Sequence, residues 1–192
     1  MARSKQFNTE EVLEKAIRLF WKQGFHATSM EDLVSTLGIN RASMYNTFGS
    51  KQALFEQAVE RYKNNDLKRI ADFLYYQLNV RQGLAVLFQN QIEQAFQKDT
   101  PKGCFLVNTI TEMGTSNLEF AVKLKTYKAE YETVFYNYLK YGVDQGQISP
   151  YKDLAVLAAN LHVFQSGLHV ISKINNQEEL MKVSTSTLSA LD

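Results

Sequence analysis

Apolar residues recur along this chain at three- and four-residue spacing almost from end to end, with asparagine, glycine and proline at the interruptions. That period belongs to amphipathic helices; strands would alternate instead. Thr28 with Glu31 three residues on makes a capping box, in which hydroxyl and carboxylate each take a backbone N–H. A helix is expected to start at Thr28, carry Met30, Leu33, Val34 and Leu37 on one face, and end at Gly38, where a left-handed residue is needed. Asn40 caps a second short helix through Phe48, with Ile39, Met44 or Tyr45, and Phe48 inward. Ser50 caps a third and places Lys51 in its first turn. Thr100-Pro101 and Ser149-Pro150 each set a capping hydroxyl before a proline, a pairing suited to a helix start. With further stops near Asn79, Gly114, Gly142 to Gly146 and Asn175, the pattern predicts about nine helices. They span 9–23, 29–37, 41–47, 51–77, 81–97, 101–113, 117–142, 150–174 and 177–190. No segment reads as a hairpin, so the expected class is all-α.

The helix after Asn40 leaves Arg41, Ala42, Ser43, Asn46 and Thr47 outside. This small, polar, singly basic face fits a major groove about 12 Å wide, where amide, hydroxyl and guanidinium groups meet base edges. Lys51 opposes the dipole of its own helix, an arrangement that a nucleic-acid phosphate would complete.

The run from Thr28 to Leu33, then Leu37-Gly38-Ile39, then Met44 through Phe55, resembles the N-terminal domain of TetR-family transcriptional regulators. The likeness extends upstream through Val12, Ala16, Leu19, Phe20 and Gly24-Phe25, and departs from the family pattern at Thr47, where histidine is frequent. It implies an N-terminal three-helix helix-turn-helix domain (1–50) and a larger C-terminal helical domain (51–192) for effector binding and dimerisation. It also implies a homodimeric repressor on a palindromic double-stranded DNA operator, released by a small-molecule effector. Thr28, Ser29, Arg41, Ala42, Ser43, Tyr45, Asn46, Thr47 and Lys51 are the residues expected at the DNA.

Composition bounds this reading without supplying it. The 192 residues are 45% hydrophobic and 21% charged, enough for a sizeable core. The net charge of +1 does not announce a nucleic-acid partner. The first 55 residues carry a weak basic bias, and Arg3 and Lys5 stand where an arm could touch DNA. No apolar run near the ~18 residues of a membrane helix stands out, and no apolar segment follows the charged N-terminus. A cytoplasmic protein is expected. One cysteine excludes an intramolecular disulfide.

In the eighth expected helix, Leu154, Leu157, Leu161, Phe164, Leu168 and Ile171 recur in helical register, beside small residues at Ala155, Ala159, Ser166 and Gly167. A helix apolar over so much of its girth should be buried all round, against its own core or against a second copy. The resemblance favours the dimer, with Ala159, Phe164, Gly167, Leu168 and Ile171 at the interface. A stripe of Leu124, Tyr127, Tyr131, Phe135, Tyr138 and Tyr141 marks the seventh helix. Such aromatics serve a core as readily as a cavity, but buried tyrosine hydroxyls need partners, and a cavity with polar tips suits a ligand. The effector pocket is expected between the helices starting near 101, 117 and 150, with Cys104, Phe105, Tyr127, Tyr131, Phe135 and Phe164 as candidate sensing residues.

Cys104 is expected in the first turn of a helix beside Lys102, where dipole and cation both lower a thiol's pKa. Gly103-Cys104-Phe105-Leu106-Val107-Asn108 resembles a phrase common in the TetR family, some members of which sense electrophiles through this cysteine. A buried, inert cysteine is the alternative. His162 and His169, seven apart, lie about 10.5 Å apart along a helix, too far to share one metal. No metal or cofactor is expected, and no motif links a nucleophile to a base as an enzyme requires. A helical protein-interaction module without sequence-specific DNA binding is the competing function.

Overall fold

A computed structural model describes residues 7–98 and 100–188. Among these the chain forms α1 (Thr9–Gln23), α2 (Met30–Leu37), α3 (Arg41–Phe48), α4 (Lys51–Tyr75), α5 (Val80–Ala95), α6 (Phe105–Met113), α7 (Leu118–Asp144), α8 (Leu154–Ile171) and α9 (Gln177–Thr187). Asparagine starts five of them: the side chains of Asn8, Asn40, Asn79, Asn117 and Asn176 each accept a backbone N–H of the first turn. Each such cap contributes about 1 kcal/mol. The chain divides into two compact units, one up to Asn64 and one from Asn65 onward, so the first turns of α4 belong with α1 to α3.

In the N-terminal unit, Phe20, Leu33, Leu37, Met44, Phe48, Leu54 and Phe55 are buried. Phe20 meets Phe55 edge-on at 5.0 Å between ring centres, and Phe25 closes on Phe55 at the same separation. Arg61 ties α4 to α1 through ion pairs to Glu10 and Glu14. In the C-terminal unit α7 packs along α8, and α5 touches α7, α8 and α9. Phe88 is the hinge of that core, edge-on to Phe164 at 5.1 Å and 6.3 Å from Phe135.

Both proline joints differ from expectation. After Pro101 the chain passes through Gly103 at φ +77°, a left-handed residue that blocks helix continuity until Phe105. After Pro150 a turn closes from the Lys152 N–H to the Ser149 carbonyl, and Asp153 caps α8 by accepting from Ala155 and Val156. Cys104 is therefore the N-cap residue of α6, not a first-turn residue.

α8 is not buried all round either. Ala158, Leu161, His162, Gln165 and Leu168 face inward, while Val156, Val163, Val170 and Ile171 are exposed. With 18 residues and a mean hydropathy of 1.4, α8 is also long and apolar enough to cross a membrane, which the reading from spacing missed.

Candidate functional site

The reader is built by two capped helices and the turn between them. Ser29, not Thr28, caps α2: its hydroxyl accepts the Asp32 N–H at 3.0 Å, and Asp32 accepts the Ser29 N–H at 2.8 Å. The Ser29 hydroxyl also donates to the Asp32 carboxylate at 2.7 Å, and this bond first, then the one from the Ser29 N–H, holds the Asp32 carboxyl below its ordinary pKa. Thr28 has no exposed surface, and its hydroxyl donates to the Gly24 carbonyl at 2.6 Å. That corrects its expected place at the DNA: Thr28 fastens the end of α1. Gly38, at φ +68°, then turns the chain, and Asn40 starts α3 by accepting the Ser43 N–H at 2.8 Å.

Met44 and Phe48 anchor α3 in the core, which fixes what the other face presents. Arg41, Ala42, Tyr45 and Asn46 are exposed, and Ser43 and Thr47 are half-buried. Of the two candidates for the inward position, Met44 takes it. Tyr45 lies outside with the Arg41 guanidinium 5.9 Å from its ring centre. No carboxylate lies within α3, so the face offers donors, a hydroxyphenyl ring and one cation. Ser50 caps α4 by accepting the Ala53 N–H at 3.0 Å. Lys51 reaches back so that its ammonium stands 4.5 Å from the centre of the Phe25 ring, a cation–π contact that reasoning from helix dipoles did not foresee. His26 is exposed beside that ring, 5.3 Å from it. Arg3 and Lys5 lie outside the described residues.

The family model "Bacterial regulatory proteins, tetR family" matches residues 12–58, and "Tetracyclin repressor-like, C-terminal domain" matches residues 81–188. The chain belongs to the TetR family. It is a DNA-binding transcriptional regulator. The regulator is 31% identical to the HTH-type transcriptional repressor ComR of Escherichia coli over 97% of this chain and 90% of that protein. It is 30% identical to the uncharacterised HTH-type regulator YezE of Bacillus subtilis over the whole of both chains. Its fold matches a cysteine-substituted form of the TetR-family regulator CifR, solved with 26-bp double-strand operator DNA, at TM-score 0.90 and 23% identity over the whole of both chains.

The expected sensing residues of the regulator separate into several environments. Cys104 is 5% exposed and Phe105, Tyr127, Tyr131 and Phe135 are buried. Tyr131 donates to the Asp66 carboxylate at 2.7 Å, and Arg69 donates to the other oxygen at 2.6 Å. Burial, and next the Asp66 charge, push the Tyr131 hydroxyl far above its ordinary pKa. The His162 ring stacks on Tyr131 at 5.4 Å. Among the described residues, His162 Nδ1 and both amide atoms of Gln91 are buried without a hydrogen-bond partner. Phe164 packs on Phe88 while staying half-buried, and Leu168 is buried in the core of its own chain. Of the other residues expected at an interface, Ala159 is half-buried, and Gly167 and Ile171 are exposed.

A cavity of about 660 Å³ lies elsewhere in the C-terminal unit, between the end of α4, the connection to α5, and the second half of α7. None of the six expected sensing residues lines it. Sequence reasoning passed over Tyr75, Tyr76 and Leu78, whose signal was three large apolar or aromatic side chains crowded at a predicted helix end.

Proposed function

We propose that the regulator is a cytoplasmic homodimeric repressor that places α3 in the major groove of a palindromic operator, and that an effector or modification of Cys104 releases it. The observation that carries this is the face of α3. Its inward residues are fully committed to the core, and Arg41, Ala42, Ser43, Tyr45, Asn46 and Thr47 are left to supply phosphate and base contacts. Ser29 and Lys51 flank that face, and Lys51 serves a phosphate in addition to its ring contact. ComR is a repressor by name, and CifR shares the fold and has been solved on its operator.

Dimerisation is supported by the uncovered stripe of α8. Val156, Val163, Gly167 and Val170 recur on one face, with Ala159 and Ile171 beside them and Ile174 exposed in the turn that follows, and a Cβ at Gly167 would meet nothing within 4 Å among the described residues. Such a surface suits a two-fold contact of helices. A membrane is the poorer partner, because His162, Gln165 and His169 interrupt the same helix with polar groups. In the dimer the two copies of α3 stand about 34 to 36 Å apart, or a near multiple, to enter successive grooves. An effector acts by binding the state in which that spacing is lost, since equal affinity for both states shifts nothing. Cys104, being buried, meets an electrophile only after local opening.

The test is fluorescence anisotropy on DNA flanking the protein's own reading frame, across a salt series. Specific binding with a steep salt dependence is expected, and Lys51→Ala lowers the log–log slope by about one. Asn46→Ala and Arg41→Ala change preference among operator variants. A thiol-reactive electrophile added beside Cys104→Ser separates the two release routes. Binding that ignores salt sinks the DNA-reading role and restores the protein-interaction module.

A further inference from the structure

The cavity between α4 and α7 has a chemistry that narrows what it can hold. Its volume of about 660 Å³ falls among those of small-molecule sites. Leu74 and Tyr138 form buried wall, while Tyr75, Tyr76 and Leu78 stand 81%, 76% and 76% exposed at its mouth. Three neighbouring apolar or aromatic side chains held in water beside a hollow are a cost that an occupant would remove.

The walls are flat and ring-rich. Tyr138 and Tyr141 lie nearly parallel, 6.3 Å between centres and 12° between planes. Tyr75 and Tyr76 stand edge to face at 5.2 Å and 86°. Among the described residues, none lining the cavity is lysine, arginine, histidine, aspartate or glutamate; besides the tyrosine hydroxyls, Asn137 supplies the polar side chain. The Tyr138 hydroxyl lies 3.2 Å from the carbonyls of both Gln77 and Asn79, so its one hydrogen is engaged by the protein. An anion entering here would leave water for a wall with no cation among its described lining residues. A cation would gain tyrosine faces but no carboxylate from the lining, and desolvating an unpaired charge opposes its entry. Uncharged aromatic surface loses nothing comparable and gains stacking against two pairs of rings.

We propose that this cavity is a binding site for a flat, uncharged aromatic molecule. As the effector site it rests on the reading of the regulator as ligand-released. Its α4 wall, Ala71 to Tyr75, is the last turn of the helix that begins at Lys51.

The experiment uses two probes that share a ring system and differ in charge: N-phenyl-1-naphthylamine, which is neutral, and 1-anilinonaphthalene-8-sulfonate, with tetraphenylphosphonium as a cationic competitor. The neutral probe is expected to saturate at one per chain and to bind at least about tenfold more tightly than the sulfonate. Tetraphenylphosphonium should displace it weakly or not at all. Ala71→Trp, which fills the hollow from an exposed helix position, and Tyr141→Ala, which removes one ring, should each weaken the neutral probe about tenfold or more. Operator binding without probe reports that both variants are folded. Equal binding by wild type and both variants overturns the site, because the probe is then on another apolar surface such as α8. Preference for the sulfonate or the phosphonium overturns the ligand class. Saturable binding with no release of operator removes the effector role and leaves the site standing, whereas absent binding with intact operator affinity removes the site and leaves the repressor reading standing.

Discussion

Replacing Gly83 with alanine sets two effects of opposite sign against each other. Gly83 is buried near the start of α5, and a Cβ there would stand 2.1 Å from the Tyr138 hydroxyl and 2.7 Å from Cβ of Gln77. Helix propensity alone favours alanine by about 0.8–1.0 kcal/mol. Against it, a contact of 2.1 Å forces the Tyr138 ring away, and its hydroxyl gives up the Gln77 and Asn79 carbonyls. One shared donor contributes about 0.5–1.5 kcal/mol, and overpacking adds about 1–3 kcal/mol. The clash wins, and Gly83→Ala destabilises the chain by roughly 1–3 kcal/mol. Urea unfolding followed by far-ultraviolet circular dichroism, at one fixed chain concentration, should show a lower midpoint with an unchanged slope. In a Tyr138→Phe background, where the oxygen is gone, the same substitution should cost about 1 kcal/mol less, the residue of the cost being the Gln77 contact. A midpoint equal to or above wild type in the single variant would refute the reasoning, because it would mean that Tyr138 and Gln77 yield without loss.

Thr28→Val should destabilise the N-terminal unit by about 1–2 kcal/mol through the lost donation to Gly24, while operator affinity of the folded fraction stays unchanged; Thr28→Ser should restore stability. Val163→Glu places a carboxylate on the open stripe of α8, and analytical ultracentrifugation should find monomers where wild type sediments as a dimer. Burial lowers the His169 pKa to about 4 and moves His162 in the same direction. Between about 4 and the ordinary value of 6.5 the unfolded chain binds the proton that the folded chain refuses, so stability rises with pH across that window. Acidifying from pH 7 to 5 should cost about 1–2 kcal/mol in urea unfolding, and His169→Gln should flatten that slope.

Helix existence was legible because each element repeats its apolar stripe and most begin at a residue whose side chain can cap only there. Asn40 illustrates this: with Gly38 two residues before it, no competing start is available. Thr28-Ser29-Met30-Glu31-Asp32 shows the opposite case, since two hydroxyls followed by two carboxylates satisfy the same spacing in either register. Burial of Thr28, with its hydroxyl spent on the Gly24 carbonyl, decides between them. Pro101 and Pro150 misled for a related reason. Proline tolerates a helix start but does not compel one, and Gly103 and Asp153 set the actual starts farther on. The outer face of α3 could be read from the period, because Met44 and Phe48 leave a single way round. The cavity could not, as its walls come from α4 and α7, more than fifty residues apart in sequence, and no periodicity within one helix reports how two helices diverge.

The Lys51 ammonium held over the Phe25 ring changes when conformational freedom is lost. A lysine free in water carries roughly 2 kcal/mol of rotamer entropy, which a phosphate contact ordinarily has to overcome as it forms. Here Phe25, itself packed on Phe20 and Phe55, restricts the stem while the chain folds. The loss falls on the stability of the N-terminal unit, and in the proposed DNA-reading role a phosphate arriving at Lys51 meets a cation already waiting at a defined height. Removing the ring by Phe25→Leu would therefore leave the charge in place and still slow the capture of DNA.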